Sequence, residues 1–129
     1  MPTSILHFNN FNYISAVSYA DDIPGSRGHI LKIDANGDLV KKLVISDSTI
    51  NVVSRLVAID DDYFAAIGYL QNGNDSLLKF FFFKINQELN IINRKDTQLY
   101  IPIATIYNTG ICKNEQGNLV FQFLYVDWN

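Results

Sequence analysis

A chain of 129 residues has the length of one compact domain with a sizeable core. At 48% hydrophobic and 18% charged residues, it holds more than enough apolar surface to fold, with some to spare for a neighbour. The formal net charge is −3 and no basic run exceeds Lys41-Lys42, which excludes the clustered basic patch of a nucleic-acid footprint.

Nine Phe, seven Tyr and frequent Ile and Val suit a pleated, half-buried surface, and abundant Asn suits frequent turns. The first strand is expected over residues 5–8. The segment Asn12-Tyr13-Ile14-Ser15-Ala16-Val17-Ser18-Tyr19 reads as the second and Ile30-Leu31-Lys32-Ile33-Asp34 as the third. The turn Ala35-Asn36-Gly37-Asp38 then leads into a fourth strand over residues 39–45, with an Asn-Gly pair of hairpin type.

The same order recurs downstream. A strand over residues 54–59 meets the acidic turn Asp60-Asp61-Asp62, and Asp62-Tyr63-Phe64-Ala65-Ala66-Ile67-Gly68-Tyr69 copies the second strand. After the loop Gln71-Asn72-Gly73-Asn74-Asp75, a strand over 77–85 carries Phe82-Phe83-Lys84-Ile85-Asn86, and the turn Gln87-Glu88 opens a strand over 89–95. Residues 54–95 are thus expected to form one four-stranded antiparallel sheet. A third copy of the second strand is Asn118-Leu119-Val120-Phe121-Gln122-Phe123-Leu124-Tyr125, so the copies stand 50 and then 56 residues apart. No segment shows a sustained helical period with caps. The run Phe80-Phe81-Phe82-Phe83 is apolar on both faces of its strand, so both faces are expected to be covered.

Ten strands in groups of four, at this spacing, match the period of a β-propeller blade. The expected fold is all-β: about two and a half four-stranded blades of an incomplete ring. Blade one spans about 5–46, blade two about 52–97, and the start of blade three about 103–129. The alternative is a β-sandwich, whose core strands account for the Phe run equally well. The chain resembles the roughly 50-residue propeller repeats of secreted and surface proteins of Bacteroidetes, with Kelch-like four-stranded blades. Asp61-Asp62-Tyr63-Phe64-Ala65-Ala66-Ile67-Gly68-Tyr69 is similar to the first half of that repeat, and His29-Ile30-Leu31-Lys32-Ile33-Asp34-Ala35-Asn36-Gly37-Asp38-Leu39 to the second. The family's Trp after Asn-Gly-Asn is missing, and Asn86-Gln87-Glu88 replaces its Asp-x-Asn-Gly. The resemblance implies an exported binding or scaffold module with no shared catalytic residues.

The residues themselves point to no catalytic, cofactor or metal site. Asp34, Asn36 and Asp38 alternate like the start of a calcium loop, but position 45 is Ile, the flanks are strands, and a hairpin turn explains them. Asp60-Asp61-Asp62 and Glu115 read as solvated turns. His7 and His29 lack the spacings of zinc ligands, and His29 is expected to face solvent. No Gly-x-Ser-x-Gly elbow is present, and Gly25-Ser26-Arg27-Gly28 lacks the Lys and helix of a phosphate loop. Cys112, the single cysteine, cannot form an internal disulfide and is expected as a small buried hydrophobe. Tyr100, Tyr107 and Trp128 are the aromatics to test for exposure as a carbohydrate or peptide platform, the others being assigned to core.

The leading expectation is therefore a non-catalytic binding or scaffold module within a larger exported or cell-surface protein. Its partners are further blades of the parent chain or other copies, with a protein or carbohydrate ligand, no nucleic acid and no membrane span. The stretch from Met1 carries no signal peptide, so an extracellular setting requires one elsewhere in the parent; the alternative setting is cytoplasmic. The competing classes are a fragment of a propeller-fold enzyme whose catalytic residues lie in other blades, and a short chain that completes its ring by oligomerising.

Overall fold

The computed structural model describes residues 1–20, 23–45, 50–71, 79–98 and 105–126, and every regular element among them is a β-strand. In chain order these are β1 (Pro2–Phe8), β2 (Phe11–Ala20), β3 (Ile23–Ile33), β4 (Leu39–Ile45), β5 (Ile50–Ala58), β6 (Tyr63–Gln71), β7 (Lys79–Asn86), β8 (Ile91–Gln98), β9 (Thr105–Lys113) and β10 (Leu119–Val126). Strands β1 to β4 pair consecutively and antiparallel, and so do β5 to β8. A single parallel bridge, Ser26 to Ile50, links these two four-stranded sheets. Strands β9 and β10 form a separate hairpin. The sheets do not close on themselves.

Local chemistry explains the turns. Asp34 Oδ1 accepts hydrogen bonds from the backbone N–H of Asn36 (2.8 Å) and Asp38 (2.9 Å). Asn86 Oδ1 does the same for Glu88 and Asn90, and Asn114 Oδ1 for Gln116 and Asn118. These three turns close β3–β4, β7–β8 and β9–β10 with one design, a side-chain oxygen that satisfies two turn amides. The fourth turn residue has positive φ each time: Gly37 (90°), Leu89 (60°) and Gly117 (77°). Leu89 was expected to open a strand. It sits instead in the turn, where its buried side chain joins the core and offsets the cost of a left-handed backbone. The β5–β6 turn differs: Asp60 Oδ1 accepts from Asp62 and Tyr63. Asn118 to Tyr125, aligned by sequence with the second strand of a repeat, therefore follows a turn of the β3–β4 type.

Strand pairing also resets the register of the repeat. Tyr13 lies opposite Lys32, and Ala65 opposite Lys84, so Lys32 and Lys84 place the two sheets 52 residues apart. The equivalents of Tyr13 and Phe11 are then Ala65 and Tyr63, two residues from the 50-residue alignment. A slip of two keeps every side chain on its expected face, because strand side chains alternate with period two. Strand β5 covers Ile50–Ala58 rather than 54–59.

The two sheets stack through unlike faces. The front face of the first sheet presents Tyr13, Ile30 and Ile45, and the back face of the second presents Phe64, Ala66, Phe81 and Phe83, all buried in one core. Tyr13 and Phe64 have ring centroids 4.7 Å apart, and Phe8 meets both rings edge-on. Polar stitches tie β1 to β5. Thr3 donates to the Val53 carbonyl (2.6 Å) and Ser15, fully buried, pairs with Thr3. The front face of the second sheet, with Ala65, Ile67, Phe80 and Phe82, lies under the β9–β10 hairpin, whose Lys113 donates to the Ile59 carbonyl. Phe80, Phe81 and Phe83 are buried, whereas Phe82 is half-buried.

Candidate functional site

Four features carry polar chemistry or open surface. The first is the set of turns. Asp34 commits its Oδ1 to backbone amides, and neutral Asn86 and Asn114 do the same task in the other two copies, so this turn needs no cation. Among the described residues no group of three or more His, Cys, Asp or Glu is placed to hold a metal. The second is a pair on the back face of the first sheet, where Ser18 Oγ and His29 Nε2 are 2.6 Å apart. His29, expected to face solvent, is only partly exposed. A serine beside an imidazole is the start of a nucleophilic dyad. Among the described residues, however, no carboxylate hydrogen-bonds the other ring nitrogen, so the orienting member of a triad is not in place.

Burial, then the positive charges of Lys42, the N-terminus and Arg27, hold the His29 imidazole below its ordinary value of 6.5. The unfolded chain therefore takes up this proton first as pH falls. The contribution to stability is whole above about pH 6.5 and is lost as pH drops through the folded value. In urea denaturation, the wild-type chain should lose stability as pH falls below about 6.5, and His29→Gln should flatten that slope. Identical slopes for the two proteins would remove His29 as the cause.

The third feature is a lysine latch. Lys32, largely buried, lies 4.0 Å from the Phe11 ring centroid and donates to the Gln87 carbonyl at 2.7 Å. The Tyr13 hydroxyl donates to the same oxygen, and Lys41 donates to the Glu88 carbonyl. Three side chains of the first sheet thus grip the turn between β7 and β8. Burial, with Glu88 adding to it, pushes the Tyr13 phenol up to about 12, so this donor stays protonated. The sequence showed the Lys-Ile-Asp/Asn repeat but not that its lysine reaches the next turn.

The fourth is a cleft of about 480 Å³ between the second sheet and the hairpin. Ile67, Phe80 and Phe82 form its apolar floor, Lys84 and Lys95 its charged side, and Asn118 and Leu119 its far wall. Lys84 repeats Lys32, with its ammonium 4.0 Å from the Tyr63 ring centroid. Cys112, expected to be buried, is exposed. It pairs with Val120, also exposed, because the hairpin turns this face away from the second sheet. The structures of Tyr100 and Trp128, and the side chain of Tyr107, lie outside the described residues. No helix among the described residues is long and apolar enough to cross a membrane. No protein-family model matches this chain, and neither a curated protein nor a solved structure is significantly similar to it.

Proposed function

We propose that this chain is a non-catalytic binding or scaffold module: two blades and the start of a third in a β-propeller of a larger exported or cell-surface protein. The observation that carries this reading is the stacking of unlike faces. Front packs on back between the first and second sheets, and the front of the second lies under a further hairpin. Such head-to-tail contact continues from repeat to repeat, whereas a two-layer sandwich needs no third layer. The consecutive β1-to-β4 and β5-to-β8 order of each sheet fits a blade as well. The export assignment rests on the resemblance of the repeat to those of surface proteins. The lone Ser18–His29 contact does not favour an enzyme.

Both ends of such a stack are open. Ile5 is 67% exposed on the back of the first sheet, while Leu56, its equivalent in the second, is 6% exposed beneath the first sheet. Sedimentation of the isolated 129-residue chain should show concentration-dependent association, reduced by Ile5→Lys with Leu31→Lys. A soluble monomer that unfolds cooperatively at high concentration would overturn the open-stack reading and favour a self-contained sandwich.

A further inference from the structure

The back faces of the two sheets hold equivalent positions with different chemistry. At the 52-residue offset, His29 stands where Phe81 stands, Lys42 where Arg94 stands and Val44 where Asp96 stands. On the second sheet Arg94 Nε lies 3.0 Å from Asp96 Oδ1, so that strand carries its own counter-charge. The first sheet has none to offer: strands β1 to β4 contain no Asp or Glu but four Lys or Arg residues. Two of these, Lys32 and Lys41, face front and donate to the Gln87 and Glu88 carbonyls. The other two, Arg27 and Lys42, face back on either side of His29. Among the described residues neither has a salt-bridge partner, and the charges that act on His29 are all cations, those of Lys42, the N-terminus and Arg27. Around them the same face exposes Ile5 (67%) and Val44 (38%) and half-buries Ile14 and Leu31.

We propose that the back face of the first sheet docks a protein surface that covers its aliphatic side chains and brings a carboxylate to Arg27, His29 and Lys42. Charge complementarity identifies the occupant. A purely apolar neighbour would strip water from these cations and supply no counter-charge, which is costly. A carboxylate from outside does for Lys42 what Asp96 does for Arg94 within its own strand. A free inorganic anion would answer the charge but leave Ile5, Ile14 and Leu31 against water. A second copy of this chain does not fit either. The one carboxylate in the described strands is Asp96, already paired, so no sheet face of another copy offers a free one. The proposal rests on the binding-module reading and deepens it by naming the surface and the chemistry of its partner.

The test pans phage-displayed random peptides of about a dozen residues against the immobilised full chain. Each enriched peptide is then measured on wild type and on Arg27→Gln with Lys42→Gln. Peptides should emerge that carry Asp or Glu among aliphatic residues and bind the double variant about tenfold more weakly, roughly threefold for each partly exposed charge pair removed. Val44→Asp keeps both cations but sets beside them the carboxylate that Asp96 sets beside Arg94, and it should weaken the same peptides about tenfold. The groups that face His29 are Ser18, Arg27, Lys42 and the N-terminus. A carboxylate added to that set favours the imidazolium, so affinity should rise as pH falls below about 6.5. Failure to enrich any peptide that depends on Arg27 and Lys42 would overturn the proposal, even if the chain self-associates as the stacked reading requires. Loss of self-association in the double variant would also overturn it, because a second copy would then be the occupant. So would saturation of His29 by sub-millimolar inorganic phosphate without peptide binding, which would assign the cluster to a small anion.

Discussion

Phe81→Asp should abolish folding, while Phe82→Asp should leave a folded protein. The two residues are adjacent in one apolar run, and their difference lies in what each face meets. Phe81 is 2% exposed, stacks on Phe83 with centroids 4.6 Å apart, and fills the core between the sheets. Truncating such a ring costs about 3–5 kcal/mol, and an unpaired carboxylate in its place adds a desolvation penalty of several more. That sum consumes the roughly 5–15 kcal/mol on which a domain of this size stands. Phe82 points to the opposite face, half-buried at the cleft, where water reaches and Lys84 and Lys95 supply positive charge. A carboxylate there loses apolar contact but meets solvent and cations. Far-ultraviolet circular dichroism with thermal melting separates the cases. Equal behaviour of the two variants would show that the run is covered alike on both faces, as the sequence alone suggests.

Gly68→Ala should lower stability by about 3 kcal/mol or more, a Tm loss of about 10 °C or greater, although it adds one methyl group. Gly68 sits on the back face of β6 opposite Phe81. A Cβ there would lie 1.8 Å from the Val52 carbonyl oxygen and 2.7 Å from Phe81 Cζ. The first contact is with backbone, so relief requires moving β5 away from β6. Gly37→Ala makes the control. Its φ of 90° imposes strain of about 1–2 kcal/mol, but a Cβ there meets nothing within 4 Å. If Gly37→Ala costs more than Gly68→Ala, backbone conformation rather than close packing governs these sheets.

What the sequence determined by itself is local. The strand order, the β4 bounds of Leu39–Ile45 and the all-β class were legible, because apolar runs and Asn-Gly turns act over a few residues. The turns are closed by side-chain oxygens two and four residues from their donors, so a short window of sequence contains their whole cause. The lysine repeat at Lys32 and Lys84 was visible too, although its meaning was not. What only the tertiary structure decided depends on partners some fifty residues away. Leu89 accepts a positive φ because the first sheet buries its side chain, and Cys112 is exposed because its hairpin lies on a neighbour by the other face. Lys32 is satisfied by Gln87, 55 residues on, and the cleft beside Lys84 exists only where one sheet passes in front of another. Alternation along a strand says which residues share a face. Which face is covered, and by what, is set by packing between sheets, and that information is not contained in either strand alone.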